Sequence, residues 1–324
     1  MMSELQTGRM FLCGADPYRR IPVFLSGQAE RCVVVIGGQS DGFFSLNYLG
    51  SLIKELSGQG WAVAQVQLAS SLAGCPGNHI SDGQDLDDVM GILLKQHNMK
   101  ELTLFAFNTG VQIAIEFMEK GRNTELVTRV VLQGVIRDPE DELFSVETTY
   151  KRIKRAKELV AEGKGESYAE MAKLYDHPVS AARVASGGIL SIQEAVYIPA
   201  VRGDVETLRS NLNKITVPLL IMCARQTEGS EQNKLKEVEK KAVSVIEQAA
   251  STKDISVSFF DEVCDERRRM LNTAQGKHTA TVVMFLQQQD KNRKDREEAA
   301  RQNEAEQLRR SRSILAKSSL AHTA

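Results

Sequence analysis

The sequence predicts an α/β fold with a mostly parallel sheet and helices on both faces. Three observations carry that expectation. Runs such as RCVVVIGG (31–38) are continuously apolar and β-branched, as strands buried on both faces are. Between these runs lie segments whose apolar residues recur at helical spacing. The alternation of strand and helix holds from residue 31 to 136 and resumes at 217, the rhythm of a parallel sheet with crossover helices. A chain of 324 residues with 42% hydrophobic content can bury a sizeable core as one large domain or two small ones.

Taken in order, residues 9–25 (RMFLCGADPYRRIPVFL) predict two strands around a polar turn at Asp16-Pro17. The run ending in Gly37-Gly38 predicts a buried strand. FFSLNYLGSLIKEL (43–56) follows as a helix, with Leu46, Leu49, Ile53 and Leu56 on one side. WAVAQVQLA (61–69) is a strand. DGQDLDDVMGILLKQH (82–97) is a helix whose acidic first turn suits the helix dipole. ELTLFAF (101–107) is a strand, TGVQIAIEFMEK a helix and VTRVVLQGVI (127–136) another strand.

After Ile136 the rhythm breaks. Residues 145–214 carry helical patterns and no strong strand signal, which predicts a helical cap inserted over the C-terminal edge of the sheet. The sheet resumes with VPLLIMCA (217–224), a helix around 231–250, the strand DISVSFF (254–260) and a last helix around 277–288. The expected division is a core of residues 1–144 and 215–288, a cap of 145–214, and a charged tail, helical or disordered, of 289–324. Pairs such as Glu297/Arg301 and Glu306/Arg310 would support a solvated helix there. The tail lacks a heptad seam, and a protein partner is its one functional candidate. The basic run KRIKRAK (151–157) reads as a solvated helix face.

Composition excludes several classes. With 41 basic and 42 acidic residues, overall charge gives no argument for nucleic acid. No apolar run reaches the roughly 20 residues that span a bilayer. Neither MMSELQTGRMFLCG at the start nor AHTA at the end carries a targeting signal, so a cytoplasmic location is the default expectation. The five cysteines (13, 32, 75, 223, 264) form no C-x-x-C pair, and several sit in apolar strand-like runs, as reduced core thiols do. No two histidines have metal-ligand spacing, and no glycine motif for nucleotides is present, so neither metal nor cofactor is expected.

In open parallel sheets, ligands sit beyond the C-terminal ends of the strands. There the chain places GGQSDG (37–42), ASSLAGCPGNH (69–79), Asn108-Thr109-Gly110, RQTEGSE (225–231), DEVCDE (261–266) and then His278. This layout resembles the α/β-hydrolase fold. Three stretches also resemble a eukaryotic family that includes fungal siderophore (fusarinine-type) esterases. They are VVVIGGQSDGFFSLNYLGSLIKEL, VQLASSLAGCPGNHISDGQDLDDV and FAFNTG. The resemblance implies a nucleophile elbow at FAFNTG, an acid after a late strand, a histidine before the last helix, and an ester or acyl ligand.

The elbow pattern is G-x-S-x-G. Ala106, Phe107, Asn108, Thr109 and Gly110 fill its five positions. Asparagine tolerates the positive φ of such a tip, but its carboxamide is no useful nucleophile. His278 holds the base position. The acid is expected near Gln226; Glu228, two residues on, is the first candidate and Asp138 the second. The N–H of Gly38 or Gln39, with that of Thr109, would form an oxyanion hole. Ser40, Ser70, Ser71 and Cys75 are minor alternative nucleophiles. The expected protein is therefore a pseudoenzyme that keeps a ligand pocket. The alternatives are an ester hydrolase using an unorthodox nucleophile or direct water attack, and an interaction module acting through cap or tail.

Overall fold

The computed structural model describes residues 6–14, 20–38, 41–71, 79–136, 146–173, 179–185, 191–226, 232–262 and 272–321. The chain divides into two compact units, residues 1–279 and 280–324.

The first unit is built on β1 (Arg9–Cys13), β2 (Ile21–Ser26), β3 (Arg31–Ile36), β4 (Ala62–Val66), β5 (Glu101–Phe107), β6 (Val127–Ile136), β7 (Leu219–Gln226) and β8 (Ile255–Glu262). They form one eight-stranded sheet in the order β1-β2-β4-β3-β5-β6-β7-β8. Only β2 is reversed: it is antiparallel to β1 and β4, and every other neighbouring pair is parallel. Burial explains the unbroken apolar runs. Cys32–Ile36 and all of β5 are buried, because both faces of the central strands are covered.

Helices α1 (Leu49–Ser57), α2 (His79–His97) and α3 (Gly110–Lys120) are the crossovers between the central strands. The first begins six residues later than its apolar pattern suggested. Phe44 takes φ +60°, and its N–H donates to Gln65 Oε1 at 2.8 Å. Gly42 N–H donates to Ser45 Oγ at 2.7 Å. These bonds turn residues 42–48 away from a helical path, so tertiary contacts override local propensity.

Between β6 and β7 come α4 (Val146–Ala161), α5 (Tyr168–Ala172), α6 (Ala181–Ala185), a π-helical turn at Gln193–Tyr197, α7 (Ile198–Arg202) and α8 (Val205–Leu212). The segment has two parts. Ala156, Leu159, Met171, Val179 and Val184 form a small core of their own around α4–α6. Ala195, Tyr197, Ala200, Leu208 and Leu212 belong instead to the main core. A buried ion pair, Arg183 Nη1 to Asp82 Oδ2 at 3.3 Å, ties α6 to the first turn of α2. In the basic run, Arg155 meets Glu158, Glu162 and Glu170 at 3.3, 3.7 and 3.5 Å. Its charge is thus engaged locally.

The remaining helices are α9 (Gln232–Ala249) and α10 (Asn272–Ala321). The last is one continuous helix across the unit boundary, far longer than the expected 277–288. Within the second unit its side chains contact one another: Gln288 donates to Asn292 at 2.8 Å, and Arg293 meets Asp290 at 3.7 Å. Among the described residues, no helix is long and apolar enough to cross a membrane. Cys13, Cys32 and Cys223 are buried free thiols. Burial pushes them up to about 11, 12 and 12, which leaves them unreactive. Cys75 and Cys264 lie outside the described residues.

Candidate active site

The chain leaves β5 at Phe107, turns at Asn108 with φ +52°, and enters α3 through Thr109. A non-glycine residue at this φ is uncommon, and asparagine is among the few that accept it. The Asn108 N–H donates to the Gln133 carbonyl of β6 at 3.0 Å, which fixes the tip against the neighbouring strand. Glycines permit the close approach around it. A Cβ on Gly110 would lie 2.6 Å from the Ile36 carbonyl oxygen. One on Gly38 would lie 2.6 Å from the Thr109 nitrogen. Gly38, Asn108 and Thr109 are therefore brought together, backbone against backbone.

Asp41 completes this cluster, and the sequence had not singled it out. Its Oδ2 accepts the Gly38 N–H at 2.8 Å and the Asn108 Nδ2 at 3.0 Å. The Asp41 N–H returns a bond to the Gly38 carbonyl at 3.2 Å. Burial raises the Asp41 carboxyl above its usual 3.8, and the bonds from Asn108 and Gly38 offset this only in part. The consequence is chemical. The Gly38 N–H expected to serve an oxyanion is already donating to a carboxylate of the chain itself.

His278 lies inside α10, not in a loop before it, and is fully buried. Its ring stacks between Phe260 (centroids 4.2 Å apart, 29° between planes) and Tyr48 (5.2 Å, 23°). The Tyr48 hydroxyl donates to Gln133 Oε1, and Gln133 carries the carbonyl that holds Asn108. A chain of contacts thus joins His278 to the tip through Tyr48 and Gln133. Both faces of the imidazole are covered by aromatic rings, so only its edge can meet a proton donor or acceptor.

Glu228, Asp138 and Gln39 lie outside the described residues, as do Ser40, His177 and His322. Gln226 ends β7, in register with Glu262 of β8. Ser70 and Ser71 form a 3₁₀ turn after β4; Ser71 is buried. His97 ends α2 and stacks on Phe11 at 4.4 Å; burial, then Arg9, lowers its pKa. It borders a cavity of about 440 Å³ lined by Gly27–Glu30 and Gln96–Met99. Those segments lead into the N-terminal ends of β3 and β5, so this cavity lies at the opposite end of the strands from the elbow. Among the described residues, no group of three or more His, Cys, Asp or Glu side chains could hold a metal.

Of the residues not anticipated, Asp41 and Gln133 left traces. Asp41 stands three residues after Gly38 in GGQSDG, the spacing at which an acidic side chain reaches back to a backbone N–H, as in a capping box. Gln133 is a polar residue inside an apolar strand run. Tyr48 and Phe260 gave no signal, because only the fold brings them to His278.

One reversed strand at the second position, parallel strands beyond it, and a positive-φ elbow after β5 define an α/β-hydrolase-fold protein. Residues 19–257 match the family described as protein of unknown function DUF1749, and the chain belongs to that family. A solved structure described as an α/β hydrolase fold protein of unknown function is 38% identical. The match covers 90% of this chain and 99% of that one, with a TM-score of 0.82. Siderophore hydrolase EstB from Aspergillus fumigatus is similar at a TM-score of 0.56 and 12% identity, over 87% and 97% of the two chains. A soluble variant of monoglyceride lipase from Saccharomyces cerevisiae gives 0.55 and 11%, over 88% and 96%. At those identities the likeness is one of fold. No functionally curated protein matches the chain by sequence.

Proposed function

We propose that this protein is a pseudoenzyme of the α/β-hydrolase fold, lacking ordinary serine-hydrolase chemistry and binding a small ester-like ligand at its elbow. One observation carries the reading: the tip is Asn108, and its amide is bonded to Asp41 Oδ2 at 3.0 Å. The strained turn is kept while the attacking hydroxyl is replaced by a group that cannot be activated by a base. The Gly38 N–H, a candidate oxyanion donor with Thr109 and Gln39, is held by the same carboxylate. The siderophore hydrolase and the monoglyceride lipase among the structural neighbours support an ester-like ligand class. His278 occupies the base position, with Glu228 or Asp138 as its candidate acid.

A second reading is hydrolysis by direct water attack, favoured by the Asp41 carboxylate beside the tip. Asp41 would take the proton of a water whose oxygen adds to the ester carbonyl, and the alcohol would leave with a proton from solvent. Turnover of p-nitrophenyl acetate separates the two. The pseudoenzyme reading expects a native rate equal to that of buffer. A native rate abolished by His278→Ala, or by Asp41→Asn, overturns it.

A further inference from the structure

The hydrogen-bonding at the elbow points the opposite way from that of a hydrolase. In an acyl-transfer site, donors converge on an oxygen that becomes negative. Here the chain has placed its own negative oxygen among those donors: Asp41 Oδ2 takes both the Gly38 N–H at 2.8 Å and the Asn108 amide at 3.0 Å. Two acceptors are then left over. Asp41 Oδ1 and the Asn108 side-chain oxygen each lack a hydrogen-bond partner among the described residues. No basic side chain among the described residues pairs with Asp41, whose raised pKa reflects burial opposed only by neutral donors. Asn108 is exposed, so a ligand can reach the pair from solvent.

We infer that the elbow binds a ligand through a hydrogen-bond-donating head group, a primary ammonium above all, held by Asp41 Oδ1 and the Asn108 carboxamide oxygen. An ammonium has three donors and no acceptor, and a carboxylate is acceptor only. The bond between them pairs two opposite charges, and the Asn108 carboxamide oxygen accepts a second, charge-assisted bond from the same ammonium. A carboxylate or an acyl oxyanion meets Asp41's charge where a hydrolase would offer it donors. The ligand class narrows from esters in general to ester-like molecules that carry such a head group. Asp41 is the residue that sets this specificity.

The inference rests on the elbow being a binding site, and the experiment separates the two. Butylammonium, butyrate and neutral butyl acetate are titrated into the native protein, Asp41→Asn and Asp41→Ala, with the backbone amides of Gly38, Asn108 and Thr109 followed by NMR. Asp41→Asn keeps the shape and removes the charge; Asp41→Ala keeps the Cβ and frees the Gly38 N–H. The native protein is expected to respond to butylammonium and not to butyrate. The ammonium is expected to bind about tenfold or more weakly to both variants, as loss of a charged hydrogen bond requires. Butyrate is expected to gain binding in Asp41→Ala. If butyl acetate shifts these amides but the ammonium is not preferred over butyrate, the inference is overturned and the binding site stands. If ammonium binding survives unchanged in both variants, the inference is likewise overturned. Silence from all three probes in all three proteins overturns both.

Discussion

Asn108 takes the positive φ of a tight strand-to-helix turn and offers a carboxamide where the proposed elbow would carry a hydroxyl. At φ +52° glycine fits freely, while a β-branched residue is strained. Asn108→Gly keeps this backbone but loses the amide bond to Asp41, so it is expected to cost about 1 kcal/mol, and Asn108→Val about 1–2 kcal/mol more, read from urea unfolding. Asp41 and Asp87 are carboxylates with opposite pH signatures. Burial raises Asp41 above 3.8, so folding takes up a proton, and its contribution to stability falls as pH rises through that window. Burial alone would raise Asp87 too. Yet hydrogen bonds from Arg122 Nε at 2.6 Å and from the Asn123 N–H at 3.0 Å, with the Arg122 charge, pull it below 3.8. Its contribution is present above 3.8 and is lost as pH falls through its folded value. Relative to the native protein, Asp41→Asn should thus gain stability, and Asp87→Asn lose it, as pH is raised through the acid range. Unfolding midpoints measured at a series of acid pH values check both signs.

Helix α6, whose Val184 belongs to a small separate core, is tied to α2 by the buried ion pair Arg183–Asp82. Removing one partner leaves a buried charge, which costs more than the pair itself contributes. Arg183→Met is expected to destabilise the first unit by about 3 kcal/mol, and adding Asp82→Leu to recover part of that loss. A double-mutant cycle in urea measures the coupling. Helix α10 is a different case. Beyond Gln289 its described side chains are nearly all exposed, so its charged residues bury little apolar surface. Truncation after Gln289 is expected to change the unfolding free energy by less than about 0.5 kcal/mol while removing helical circular dichroism.

Across the molecule, what could be read from the sequence was what depends on local pattern. The parallel strands were legible because burial on both faces leaves runs such as Cys32–Ile36 without a polar residue. The elbow was legible because Asn108 and Gly110 answer to backbone geometry that few residues fit. The late start of α1 was not, since Phe44 is turned by Gln65, which is distant in sequence. The continuous α10 was also missed. The apolar pattern covers only 277–288, but the helix runs through Gly276 because about 1 kcal/mol of glycine penalty is easily carried by a 50-residue helix. The aromatic sandwich of Tyr48, His278 and Phe260 joins three separate segments, so no window of sequence contains it. All these features bear on one question, whether any side chain here attacks an ester. Labelling of the native protein with a fluorophosphonate probe answers it. With Asn108 at the tip and Asp41 holding the Gly38 N–H, no covalent adduct is expected. A stoichiometric adduct on any serine of the native protein, lost on His278→Ala, would contradict the proposed loss of serine-hydrolase chemistry.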